Sequence, residues 1–118
     1  MSTIELFRKE TDYRMVPAGT KIFAAGDPGE EMYVVLEGDV DLQLRGRTIE
    51  TVGPGGVFGE LALIDNGPRT ATAIARTACK LVPVSQKRFL FMVQQTPHFA
   101  LQMMKVITDR LRSMDERF

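Results

Sequence analysis

The chain changes its hydrophobic period once. From Asp12 to Val84, short runs rich in Val, Ile, Leu, Phe and Tyr alternate with Gly and Pro, a pattern that predicts strands joined by turns. The predicted strands are Tyr13–Val16, Lys21–Ala24, Met32–Glu37, Asp39–Leu44, Thr48–Val52, Thr72–Arg76 and Lys80–Val84. In one of them Val40, Leu42 and Leu44 alternate with Asp39, Asp41 and Gln43, so one face is buried and the other wet. Arg45-Gly46-Arg47 then reads as a tight hairpin tip with Gly46 at positive φ. After Ser85 the period becomes helical. Ser85 is the predicted N-cap of a helix over Gln86–Gln95, with Phe89, Met92 and Val93 on one face. Thr96-Pro97 restarts a helix, because Pro is accommodated in a first turn. Phe99, Met103, Ile107, Leu111 and Met114 follow at spacings of three and four, widened by Leu101, Met104 and Val106. That stripe packs onto the strands, or serves as a dimer seam or a ligand lid. At the other end Ser2-Thr3-Ile4-Glu5 fits a capping box and predicts a short helix over Thr3–Lys9, with Ile4, Leu6 and Phe7 turned inward.

At 118 residues the chain suits one compact domain, here an all-β sandwich or roll with flanking helices. The expected division is an N-terminal helix over 1–11, a β region over 12–84 and C-terminal helices over 85–118. Charge narrows the function. Lys plus Arg and Asp plus Glu number 15 each, so the basic footprint of a nucleic-acid binder is missing. No apolar run approaches membrane-spanning length, and the first residues lack a signal-peptide pattern. No nucleic acid, no membrane and a cytoplasmic location are therefore expected. Cys79 is the only cysteine and His98 the only histidine, which excludes four-cysteine metal centres. Cys79 reads as a small buried apolar residue, and His98 as solvated or capping. No converging ligand set suggests a metal or cofactor, and no base and nucleophile suggest an enzyme.

The chemistry concentrates in Gly53-Pro54-Gly55-Gly56-Val57-Phe58-Gly59-Glu60-Leu61-Ala62-Leu63, a loop running into a helical turn, with Arg69-Thr70-Ala71 five residues later. Gly59 has no Cβ, so a ligand can approach its backbone. The N–H groups of Leu61 and Ala62 open a turn and suit an anion. Arg69 carries a planar guanidinium that grips two phosphate oxygens at once. Glu60 only accepts hydrogen bonds and so needs a donor such as a sugar hydroxyl. The residue types alone fit a ligand with a hydroxyl beside a phosphate. They fit equally a Glu60–Arg69 ion pair across a loop.

Phe58-Gly59-Glu60-Leu61-Ala62-Leu63 and Arg69-Thr70-Ala71-Thr72-Ala73-Ile74-Ala75 resemble the phosphate-binding cassette of cyclic-nucleotide-binding domains. These occur in catabolite activator proteins and in regulatory subunits of cyclic-nucleotide-dependent kinases. Gly26-Asp27-Pro28-Gly29, Met32-Tyr33-Val34-Val35-Leu36 and Gly38 resemble a second motif of that family. The resemblance implies a β jelly roll (double-stranded β-helix) with a short N-terminal helix and two C-terminal helices, and a cassette over 57–72. It implies that Glu60 accepts from the ribose 2′-hydroxyl and that Arg69 neutralises the cyclic phosphate. Gly59, Leu61 and Ala62 would give close approach and backbone donors. Thr70 would add a hydroxyl and Ala71 would abut the phosphate. Leu42, Ile49 and Val52 would line the base pocket or simply fill the core. Phe23 departs from the family pattern, where a smaller β-branched residue is usual, and is expected to affect packing while leaving the ligand loop untouched.

The implied ligand is cyclic AMP or cyclic GMP. No DNA-reading helix follows the long helix in this chain, so the expectation is a stand-alone regulatory sensor. The alternative is a protein-interaction module that keeps the fold without a nucleotide. In either case a protein partner or self-association would use the C-terminal helix.

Overall fold

Burial without alternation marks the centre of the molecule. Met32, Tyr33, Val34 and Val35 run consecutively and all are buried, which requires packed layers on both faces of their strand. The structure, a computed structural model, describes residues 6, 7 and 9–117, with side chains as far as Met114. In chain order its elements are β1 (Arg14–Val16), β2 (Lys21–Phe23), β3 (Glu31–Glu37), β4 (Val40–Leu44), β5 (Arg47–Val52), β6 (Val57–Phe58), α1 (Glu60–Asp65), β7 (Thr72–Ala75), β8 (Cys79–Ser85), α2 (Gln86–Gln95) and α3 (Pro97–Arg117). Tyr33 and Val35 face sheet to sheet, with Leu42, Ile49, Val52 and Leu81. Met32 and Val34 face the helices, packing with Phe7, Leu63, Phe99 and Met103.

The strands form two four-stranded sheets, ordered β1-β8-β3-β6 and β2-β7-β4-β5, with every pairing antiparallel. This corrects the expected jelly roll. Among the described residues no sheet closes on the other: β1 and β6 end one sheet, β2 and β5 the other. The reason is strand length. β1 and β2 have three residues each and β6 only two, too short to run from one sheet into its neighbour. The mainly β character with flanking helices stands.

Local signals play out as their chemistry requires. Arg45 and Gly46 have φ of 53° and 78°, the paired positive values of a type I′ hairpin between β4 and β5. The Ser85 side chain accepts from the Arg88 N–H at 3.2 Å and starts α2. Cys79 is buried beside the Asp39 and Thr77 carbonyls, and burial pushes its thiol pKa up. Of the expected N-terminal helix over Thr3–Lys9, Thr3 to Glu5 and Arg8 lie outside the described residues. Leu6 and Phe7 are helical, and Phe7 is fully buried.

One expectation about α3 fails by a single position. Leu111 is 51% exposed, as are Leu101 and Met104 at 63% and 61%. The inward line is Phe99, Met103, Arg110 and Met114. A charged residue occupies a place that the apolar stripe assigns to its neighbour, and the functional region explains why.

Candidate functional site

The Gly-rich approach to α1 is constrained by contact. Gly59 takes φ +83° as the N-cap of α1. A Cβ there would stand 2.8 Å from Arg69 Nη1, so both conformation and space demand glycine. Leu61 and Ala62 follow in the first turn, where backbone N–H groups lack intrahelical acceptors. Asn66 ends α1 in the left-handed region, and Asp65 Oδ1 accepts from the Gly67 N–H at 2.8 Å. Arg69 is then fixed by its backbone: its N–H donates to Asp27 O and its carbonyl accepts from the Gly26 N–H, both at 2.8 Å. The Gly26-Asp27-Pro28-Gly29 segment is thus the dock for Arg69. A Cβ on Gly29 would lie 2.7 Å from Arg69 Nε.

Arg69 is 6% exposed. Nη1 donates to Gly59 O at 3.0 Å and Nη2 to Glu31 O at 2.8 Å. Its central carbon sits 4.1 Å from the Phe23 ring centroid. Among the described residues no carboxylate pairs with it directly, and burial lowers its pKa. Phe23 therefore touches Arg69, contrary to expectation. The β2–β7 register shifts between Lys21 and Phe23, and such a bulge re-aims a side chain.

Glu60 does not pair with Arg69. It is wholly buried and accepts from Arg110 Nη1 through Oε1. Burial raises the Glu60 pKa, opposed by the Arg110 charge. Arg110 also donates from Nε and Nη2 to the two oxygens of Glu50, at 2.9 and 2.8 Å, and from Nη2 to Val57 O at 2.9 Å. Burial alone would lower the Arg110 pKa; its hydrogen bonds to Glu50 and the Glu60 and Glu50 charges raise it instead.

Glu60, Arg69, Gly59, Leu61, Ala62, Thr70 and Ala71 line one cavity with Phe23, Leu42, Arg110 and Met114. The enclosed space is about 20 Å³, room for about one water; counting the open mouth, the empty space is about 310 Å³. All seven cassette residues singled out in the sequence are brought together here. Leu42 is on the wall as well, whereas Ile49 and Val52 belong to the core between the sheets. Arg110, Phe23 and Met114 were not expected in the wall. The available signal for Arg110 was its phase, eleven residues after Phe99 on the inward line of α3. Among the described residues, two buried side-chain polar atoms lack a hydrogen-bond partner, Glu60 Oε2 and Arg69 Nε. Groups of that kind ordinarily have partners, and both residues line this cavity.

Comparison with known proteins gives a consistent result. Residues 13–96 match the cyclic nucleotide-binding domain. The chain is 36% identical over 107 residues to a cyclic AMP receptor protein of Thermus thermophilus, covering 86% of this chain and 50% of that protein. It is 43% identical over 76 residues to a cAMP-dependent protein kinase regulatory subunit of Eremothecium gossypii, covering 64% of this chain and 17% of that one. The crystal structure of the Thermus thermophilus catabolite activator protein superposes with a TM-score of 0.81 at 32% identity, over 98% of this chain and 56% of that one. The chain thus spans about half the length of the receptor protein it matches.

Proposed function

The chain belongs to the cyclic nucleotide-binding domain family, and on that premise we propose that it binds cyclic AMP as a regulatory sensor and performs no catalysis. The observation that carries this reading is a pair of unpartnered buried atoms, Glu60 Oε2 and Arg69 Nε, in two residues that line one cavity. One is an acceptor suited to a ribose hydroxyl, and the other a cationic donor suited to a phosphodiester oxygen. In this reading Gly59, Leu61, Ala62 and Ala71 surround the phosphate, Thr70 adds a rim hydroxyl and Leu42 meets the base. Residues 1–118 act as one binding domain in the cytoplasm. Among the described residues no helix is long and apolar enough to cross a membrane. Arg110 and Met114 stand in the wall, so occupancy is expected to shift the end of α3. The exposed Leu101, Met104 and Leu111 give that helix a face for a second copy or a protein partner.

Calorimetric titration with cyclic AMP, cyclic GMP and 5′-AMP tests the proposal. Micromolar or tighter binding of cyclic AMP is expected, with 5′-AMP much weaker because an open monophosphate brings extra charge beside Glu60. Equal binding of cyclic AMP and 5′-AMP, or no binding of any cyclic nucleotide, would overturn it.

A further inference from the structure

The cyclic nucleotide reading assigns Arg69 to a phosphate and leaves Phe23 without a role. Yet Phe23 is placed with care. The β2–β7 register shifts between Lys21 and Phe23. Its ring packs on Tyr33 at 6.3 Å and on Phe58 at 5.9 Å, and those two rings stack at 5.2 Å. Tyr33 and Phe58 are themselves paired across β3 and β6, so the third ring rests on a rigid base. Its remaining surface meets Arg69, 4.1 Å from guanidinium carbon to ring centroid, and borders the cavity.

Consider what fixes the Arg69 guanidinium. Two carbonyls, Gly59 O and Glu31 O, hold Nη1 and Nη2. They hold two of its three nitrogens and leave the Nε edge without a bonded partner. An aromatic face adds a further constraint on the plane, because a planar cation stacks on it. The bare backbone of Gly29 leaves the side chain its space. We propose that Phe23 is a positioning residue for Arg69: its ring sets the plane of the guanidinium so that the unpartnered Nε–H is presented to the anion in the cavity. This rests on reading Arg69 as the phosphate ligand. Phe23 itself touches the arginine, and acts on the ligand through it.

Two measurements test the idea. The first needs no ligand. The Arg69 Nε–H proton signal, assigned by its loss in Arg69→Ala, should carry a ring-current shift in the wild type. It should keep that shift in Phe23→Tyr and lose it in Phe23→Leu. Phe23→Met, which keeps bulk without a ring, should lose it too and covers the case in which Leu loosens the fold. The second is a double-mutant cycle with cyclic AMP. Phe23→Leu should bind roughly three- to tenfold more weakly, the cost of ordering one loosened long side chain on binding. In an Arg69→Ala background the same change should cost less than about twofold, the scatter of independent sites. An equal penalty with and without Arg69, or wild-type affinity in both Phe23→Leu and Phe23→Met, would overturn the proposal. If the wild type binds no cyclic AMP, the ligand reading fails, and the proton signal decides alone: an unchanged shift in Phe23→Met overturns the positioning role.

Discussion

Two arginines are buried among the described residues, and they are treated in opposite ways. Arg110 meets two carboxylates and a carbonyl. Arg69 meets two carbonyls and an aromatic face, with no carboxylate bonded to it. A buried charge without a counter-charge is costly. Arg110 is neutralised within the protein, whereas Arg69 retains one unpartnered donor. The difference teaches that burial alone does not tell a charge satisfied within the fold from one that is not. Arg110 is as buried as Arg69, yet its charge already has local partners. Glu60 links the two halves of the comparison, with one oxygen on Arg110 and the other unpartnered.

The largest effect should come from removing the matched arginine. Arg110→Ala strands the fully buried Glu60, and truncating one member of a buried pair costs about 3–5 kcal/mol. Urea unfolding should show this loss. Pairing Arg110→Met with Glu60→Gln should recover a good part of it, since the stranded charge is then gone. No recovery would mean that the guanidinium's contacts to Glu50 and Val57 O carry the stability instead.

Removing the unmatched arginine should reverse the pattern. Arg69→Ala should cost about 2–5 kcal/mol in cyclic AMP affinity, as for other truncated charge pairs across an interface. Its stability cost should be smaller than that of Arg110→Ala, because no carboxylate loses its partner. Arg69→Lys should rescue affinity only in part, since an ammonium lacks the planar fork. A large loss of stability with unchanged affinity would erase the contrast between the two arginines.

Glu60 sharpens the comparison next. 2′-Deoxy cyclic AMP should bind the wild type about 1.5–3 kcal/mol more weakly, the range for a hydrogen bond to a charged group. Glu60→Ala should narrow the gap between deoxy and ribo ligands. The full penalty surviving in that variant would place the hydroxyl elsewhere.

The smallest effect belongs to a third, more exposed arginine. Arg88 bonds Glu10 and lies over the Phe7 ring. That hydrogen bond outweighs burial and lowers the Glu10 pKa. A depressed carboxylate pKa contributes stability above its unfolded value, and this is lost as pH falls below about 4. The pair is partly exposed, so about 0.2–1 kcal/mol is expected. Glu10→Gln should flatten the acid limb of the stability–pH curve by that amount. An unchanged limb would show the pair to be fully screened.

How much of this could be read from residues follows sequence distance. The Ser85 cap, the Gly46 hairpin tip and the restart at Pro97 depend on near neighbours, and each formed where local chemistry put it. The cassette was legible because Gly59 to Ala71 carries its own pattern. β6 was not, since two residues show no period. Sheet closure was not, because alternation tells which face is wet and never which edge finds a partner. Arg110 was hidden because its carboxylates lie 50 and 60 residues away. Counting apolar residues therefore assigned its place to Leu111. Phe23 was misjudged because a register shift, invisible in a three-residue strand, turned it toward Arg69.

In mechanical terms Arg110 is a pin through three plates: α3, which carries it, β5 through Glu50, and the cassette through Glu60 and Val57 O. Tension applied at the end of α3 reaches the sheets by way of Met114 and then this pin. The helix continues seven residues past it, to Arg117, a lever of roughly 10 Å at 1.5 Å per residue. Pulled from that end, the chain should unwind those turns at low force and then hold. With Arg110→Met the hold at that point should weaken, leaving the buried Phe99 and Met103 to resist next.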